Sequence, residues 1–290
     1  MSMAQEIELP IFPPDLEREI FETSALLHPV SIPKLMLVAC RARDCPLCGI
    51  YAFSIKEFRV ALDPYPLFTW DILLRAMRSK PASFFHSSVR NLCILDQDAP
   101  GSSAREFLSL CTGVTNLSIW GRSLPPTHYA HLRPHRLTSF AMDLNHIISP
   151  THEFFSRLTH LEARNFPFPT EWPEFIDHLS RLPSLTHFSV YSTSQTDLQQ
   201  VLDACSGLRV VILLYCREAP SISDRRFVAL KGGSELAEWQ MGAYTGEDYW
   251  SFGEEVIAKR PPGPVNEYRI FEYVSSIRNP GMRLREGDRL

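Results

Sequence analysis

Two groups of side chains in this sequence have the types and spacing to do chemistry. Cys45 and Cys48 form a Cys-x-x-Cys, with Cys40 shortly before them. Such a pair can fill two corners of a zinc tetrahedron, but no second pair and no neighbouring paired histidine supplies the other two. A thioredoxin-type redox role would need a strand running into a helix at that point. His128, His131 and His135 gather in a stretch that also holds Pro125, Pro126 and Pro134. Three imidazoles can take a metal, yet no carboxylate or backing element is placed to orient them. The sequence contains no GxSxG, no HExxH and no phosphate-binding glycine loop. The expectation is a chain with no catalytic residue, no metal ligand and no cofactor.

A third group is defined by repetition. Six segments share one pattern: VRNLCI from Val89, VTNLSI from Val114, LTSFAM from Leu137, LTHLEA from Leu158, LTHFSV from Leu185 and LRVVIL from Leu208. Each is apolar at its first and fourth positions. Their first residues are spaced by 25, 23, 21, 27 and 23, within the ~20–29 residue period of one class of repeat arrays. Successive side chains of a strand point to opposite faces, so the residues between the leucines share a surface. That reading gives a first row of Asn91, Asn116, Ser139, His160, His187 and Val210. A second holds Cys93, Ser118, Ala141, Glu162, Ser189 and Ile212, and a third Leu95, Trp120, Asp143, Arg164, Tyr191 and Leu214. Trp, Tyr and Arg are the types enriched at binding hot spots. Val210, Ile212 and Leu214 are all apolar, so either the segment around Trp250 covers them or a partner does.

Elements must position these rows. Several gaps between repeats carry apolar residues at helical spacing: Phe107, Leu108 and Cys111; Phe154, Phe155 and Leu158; Phe175, Ile176, Leu179 and Leu182; Leu198, Val201, Leu202 and Cys205. Thr196 and Asp197 are candidate caps of the last of these helices. A helix is expected over 67–78 after Pro64 and Pro66, an irregular strand over 53–60, one more strand at Phe227, Val228 and Leu230, and a closing helix over 247–259.

The repeats resemble the leucine-rich-repeat family, whose unit continues to an Asn or Cys; Leu137, Phe140, Met142 and Asn145 fit it, as do Leu208, Val211, Leu213 and Cys216. The resemblance implies an α/β fold, an irregular leucine-rich-repeat solenoid with parallel strands on the concave face and short helices outside. The alternative is a doubly wound α/β domain, which would place a glycine-rich turn after a strand.

The N-terminal segment is organised differently. Pro13 and Pro14 precede Leu16, Ile20, Phe21 and Ser24 at helical spacing, with Asp15, Glu17 and Glu19 at the favourable end of the helix dipole. After His28 and Pro29, a second apolar run holds Ile32, Leu35, Met36, Leu37, Val38 and Ala39. The segment resembles the F-box family, and the whole chain resembles the F-box-like repeat proteins expanded in mushroom-forming fungi. The resemblance implies docking onto the adaptor subunit of a cullin-based ubiquitin ligase through Pro13, Leu16, Ile20, Phe21, Leu35, Leu37 and Val38. The alternative is that these helices only cap the first coil, since a terminal repeat must be covered. Exposure of Ile20, Phe21, Leu35 and Leu37 on one patch favours docking; burial favours a cap.

With 290 residues, 44% hydrophobic, 21% charged and a net charge of −4, the composition is that of a globular chain and gives no reason to expect nucleic acid. No signal peptide or membrane span is read. Seven cysteines without a secreted framework point to a reducing compartment, cytoplasmic or nuclear. The expected organisation is an F-box-like segment over 1–52, the solenoid over 53–246, a closing helix over 247–260, and a linker and flexible tail over 261–290. The expected function is a substrate receptor holding an unknown target protein through Trp120, Asp143, His160, Glu162, Arg164, His187 and Tyr191. The alternatives are a repeat scaffold without a ligase role, or a hydrolase or metal enzyme using the histidine cluster.

Overall fold

The computed structural model describes residues 20, 70–94, 101–119, 126–140, 149, 151–164, 171–191, 193–218, 220–232, 238–239, 242–243, 246–260 and 270–271. Helices α1 Trp70–Ser79 and α2 Ala82–Ser88 lead into β1 Asn91–Ile94, α3 Gly101–Leu110 and β2 Asn116–Ile119. A 3-10 turn at Pro126–His128 precedes β3 Arg136–Phe140, and another at Glu153–Phe155 precedes β4 His160–Arg164. Then come α4 Trp172–Ser180, β5 His187–Tyr191, α5 Gln195–Ala204, β6 Val210–Leu214, β7 Phe227–Leu230, α6 Tyr249–Ala258 and β8 Ile270–Phe271.

The eight strands among the described residues form one parallel sheet in which each strand pairs with its neighbour in sequence. A doubly wound sheet reverses its strand order at a switch point, and this order never reverses. The fold is α/β with a single all-parallel sheet, compatible with a solenoid. The leucines of the pattern build its core: Leu92, Leu117, Leu137, Leu161, Phe188 and Val211 pack against Phe107 and Leu108 of α3, Phe175 and Leu179 of α4, and Leu198 and Val201 of α5. β6 reads VVILL and is buried along its whole length, as a parallel strand covered on both faces must be.

The recurrent threonine has a physical role. At the entries of β2 to β6 one carbonyl accepts two N–H groups from the next coil: Arg90 from Thr115 and Asn116, Thr115 from His135 and Arg136, His135 from Thr159 and His160, Thr159 from Thr186 and His187, and Thr186 from Arg209 and Val210, all at 2.7–3.2 Å. The hydroxyls of Thr115, Thr159 and Thr186 donate to the same carbonyls, of Arg90, His135 and Thr159, at 3.1, 3.0 and 3.2 Å.

This ladder corrects the expected register of the third copy. Arg136, not Ser139, is opposite Asn116 and His160, and Leu137 lies beside Leu117 and Leu161. The rows therefore contain Arg136, Thr138 and Phe140 where Ser139, Ala141 and Asp143 were expected. The cause is two extra residues. Leu132 N–H bonds Tyr129 O at 2.9 Å, the turn that Val114, Leu158 and Leu208 also make, and Arg133 and Pro134 intervene before the strand. LTSFAM matches the pattern better as text, but burying Leu132 and Leu137 fixes the register.

Three further differences concern ends. The cap of α5 is Ser194, whose hydroxyl accepts from Asp197 N, rather than Thr196 or Asp197. The apolar run before β4 forms a 3-10 turn instead of an α-helix, with Phe154 and Phe155 both buried. Within 261–290, expected as linker and tail, Ile270–Phe271 extends the sheet. The strand expected over 53–60 lies outside the described residues, as do all of the F-box-like segment except Ile20 and most of 261–290.

One arginine ties two coils. Arg226 donates to Leu202 O at 2.7 Å, at the C-terminal end of α5, and to Cys205 O at 3.1 Å, which also accepts from Leu208 N, and it pairs with Asp224 at 2.7 Å. Burial alone would raise the Asp224 carboxyl, but the hydrogen bonds and charge of Arg226 hold it below the usual range. Arg226→Ala is expected to cost about 2 kcal/mol in urea denaturation, the scale of losing charged hydrogen bonds to buried acceptors. Arg226→Lys, which keeps the charge but not the fan of donors, should recover less than half of that.

Candidate functional site

The sheet face opposite α3, α4 and α5 carries the expected rows, and α6 lies on it. Val210, Ile212, Leu214, Val228 and Leu230 form a second apolar cluster with Tyr249, Trp250 and Val256. Of the two alternatives for these strand residues, the closing segment covers them. α6 comes close because residue 253 is glycine: a Cβ there would lie 2.7 Å from Ile212 Cδ1. Asp248 starts the helix, its Oδ1 accepting from Trp250 N at 3.1 Å and Ser251 N at 3.0 Å while Ser251 Oγ accepts from Asp248 N.

Over β3, β4 and β5 the contact becomes polar. Glu162, 1% exposed, accepts from Thr138 Oγ1 at 3.0 Å, Arg164 Nε at 2.8 Å and Tyr249 Oη at 2.9 Å. With its proton on Glu162, the Tyr249 oxygen accepts from Ser189 Oγ at 3.1 Å. Burial, then the Glu162 charge, raises the Tyr249 phenol well above its ordinary range, so it remains a donor. Arg136 Nη1 donates to Asp248 Oδ2 at 2.5 Å, and His187 Nε2 meets Glu254 Oε1 at 3.0 Å. A small cleft beside this contact is lined by Asn116, Arg136, Thr138, Glu162, Asp248 and Trp250.

His160 and His187 stack at 4.0 Å, as their equivalent places in adjacent repeats imply, and Trp250 sits edge-on to both at 5.3 and 5.9 Å. Burial lowers the His160 imidazole to about 2, assisted by the charges of His187, Arg136 and His135. Burial also lowers His187, aided by Arg209 and Arg136 and opposed by Glu254. A histidine that refuses its proton when folded, but takes it at about 6.5 when unfolded, makes stability fall as pH drops below that value. The melting temperature is therefore expected to decline from pH 7 to pH 5, above the range where ordinary carboxylates titrate. His160→Gln should flatten that slope, and an unchanged slope would show that the stacked pair is not buried neutral.

The expected partner residues that are described, His160, Glu162, Arg164, His187 and Tyr191, are thus brought together on neighbouring strands, but not as an open surface. His160, Glu162, His187 and Ser189 face α6. Arg164, 9% exposed, lies 5.0 Å over the Tyr191 ring, which stacks on Tyr215 at 5.2 Å. Tyr215 follows β6 in a left-handed conformation, φ +53°. Trp120 and Asp143 lie outside the described residues, as do Pro13, Leu16, Phe21, Leu35, Leu37 and Val38; Ile20 is helical and 44% exposed. Sequence reasoning missed Arg136, Thr138, Tyr249 and Glu254, the first two through the register and the others because a helix beyond the repeats supplies them.

Among the described residues no three His, Cys, Asp or Glu side chains gather as a metal site. The three histidines are divided in their contacts: His131 Nε2 bonds Leu108 O at 2.9 Å near the end of α3, and the His135 backbone belongs to the carbonyl ladder. Cys40, Cys45 and Cys48 lie outside the described residues. Cys93, at the centre of the rows, is fully buried, and burial pushes its thiol up to about 12, leaving it protonated and unreactive at neutral pH. No described helix is long and apolar enough to cross a membrane.

No protein-family model matches this chain, and no curated protein matches it significantly.

Proposed function

We propose that this chain is a non-catalytic substrate receptor: an F-box-like N-terminal segment recruits the adaptor subunit of a cullin-type ubiquitin ligase, and a leucine-rich-repeat solenoid holds a target protein. The observation that carries the recruiting half is Ile20, one of the residues the F-box resemblance assigns to the adaptor. It is helical and 44% exposed, whereas a residue serving only to cap the first coil would be covered. The sequential parallel sheet supports the holding half, because such arrays present long surfaces built from one row of side chains per coil.

The full chain is expected to co-purify with the adaptor, and an Ile20→Asp, Phe21→Asp double variant with unchanged circular dichroism should lose it. No retention by the wild type would remove the ligase role and leave a repeat scaffold. That second reading draws support from the same sheet, which needs no adaptor to present its surface.

A further inference from the structure

We propose that the face over β3, β4 and β5 is the target site of this receptor, and that the N-terminal turn of α6 is its cis occupant, which a target helix of similar chemistry must displace. The proposal rests on the receptor reading and adds the partner's chemistry and its regulation.

Three observations carry it. The main core, from Phe85 through Ala229, is complete on the other face of the sheet without any α6 residue. α6 instead belongs to a separate small cluster, to which Tyr249 and Trp250 of its first turn contribute with Val256, so displacing that turn opens this cluster and not the main core. That cluster is divided along the helix. The C-terminal part sets Gly253 and Val256 into the apolar cluster with Val210 and Ile212, with Glu254 on His187 at its margin, and suits permanent attachment. The N-terminal turn lies over polar groups, with Asp248 on Arg136, Tyr249 on Glu162 and Ser189, and Trp250 on the two histidines. Polar pairs of this kind fix orientation and partner choice while contributing less net affinity than apolar burial. A competing ligand can replace them group for group. Its chemistry follows from the contacts: a helix start with an acidic cap to meet Arg136, a phenol to meet Glu162, and an indole to lie across the imidazoles.

The test uses the full chain and a fluorescein-labelled peptide of residues 246–252, which carries the first turn of α6 and not the part that stays attached. An Asp248→Ala, Tyr249→Ala variant alters only the occupant and leaves the face intact. It should stay folded and bind the peptide at least tenfold more tightly than the wild type, and adding Arg136→Ala should remove that binding. In the wild type, hydrogen exchange at the first turn of α6 should be faster than in β4 and β5. Equal peptide binding by variant and wild type, no binding to either, loss of folding in the variant, or exchange of α6 in step with β4 and β5 would each overturn the proposal, the last two by making α6 part of the cooperative fold. Adaptor retention is read separately through Ile20 and Phe21, so failure of the ligase role and failure of this inference are distinguishable.

Discussion

Replacing Glu162 with alanine is expected to destabilise the protein by ~3–5 kcal/mol, the cost of breaking a buried ion pair by deleting one partner. The side chain is 1% exposed, and its carboxylate takes bonds from Arg164, Thr138 and Tyr249 at 2.8, 3.0 and 2.9 Å. Deletion removes the acceptor that three donors from three elements share, and water has little access to replace it. Glu162→Gln keeps the volume and one carbonyl acceptor, so its loss should be about half as large. A double-mutant cycle with Tyr249→Phe isolates the contribution of α6, with an expected coupling of ~1–2 kcal/mol in urea denaturation. If Glu162→Ala behaves like a surface substitution, within ~0.5 kcal/mol of the wild type, then Glu162 is not the buried hub of this contact.

What the sequence discloses and what it hides both follow from range. Leu117, Leu161, Phe188 and Val211 lie in line because each repeat carries its own copy of the pattern, and a pattern repeated in the chain is visible in the chain. The stacking of His160 on His187 is legible for the same reason, being one step of the repeat apart in space. The third coil is misread because two inserted residues, Arg133 and Pro134, carry no signature of their own; only the packing of Leu132 and Leu137 reveals them. The polar hub is less legible still. Tyr249 and Glu162 are 87 residues apart, and Arg136 and Asp248 are 112 apart. No periodicity links such pairs, and the apolar trio Val210, Ile212 and Leu214 only announces that something must cover β6. The cap is Ser194, two residues before the expected Thr196 and three before Asp197, since Ser, Thr and Asp crowd the start of α5 and each type can cap.

Phe188→Ala should be at least as damaging, at ~3–5 kcal/mol, through the apolar core rather than the polar face. Phe188 is fully buried near the start of β5, beside Leu161 and Val211, with its ring 6.2 Å from that of Phe175 in α4. Truncation leaves a cavity in the close-packed core beside the Phe175 ring, which is itself stacked on Trp172 at 5.4 Å. The location should change the form of unfolding as well as its midpoint. In an array stabilised by contacts between neighbouring coils, weakening an interior coil weakens the interfaces on both sides and lets the flanking segments unfold separately. A broadened denaturation curve with a reduced slope is therefore expected for Phe188→Ala, with circular dichroism and tryptophan fluorescence no longer coincident. Phe188→Leu, which fills most of the space, should shift the midpoint by roughly a third as much and keep one transition. A sharp single transition in the alanine variant would mean that the sheet unfolds as one unit, and that the contact of α6 with strands β3 to β7 binds the coils together more strongly than their own stacking does.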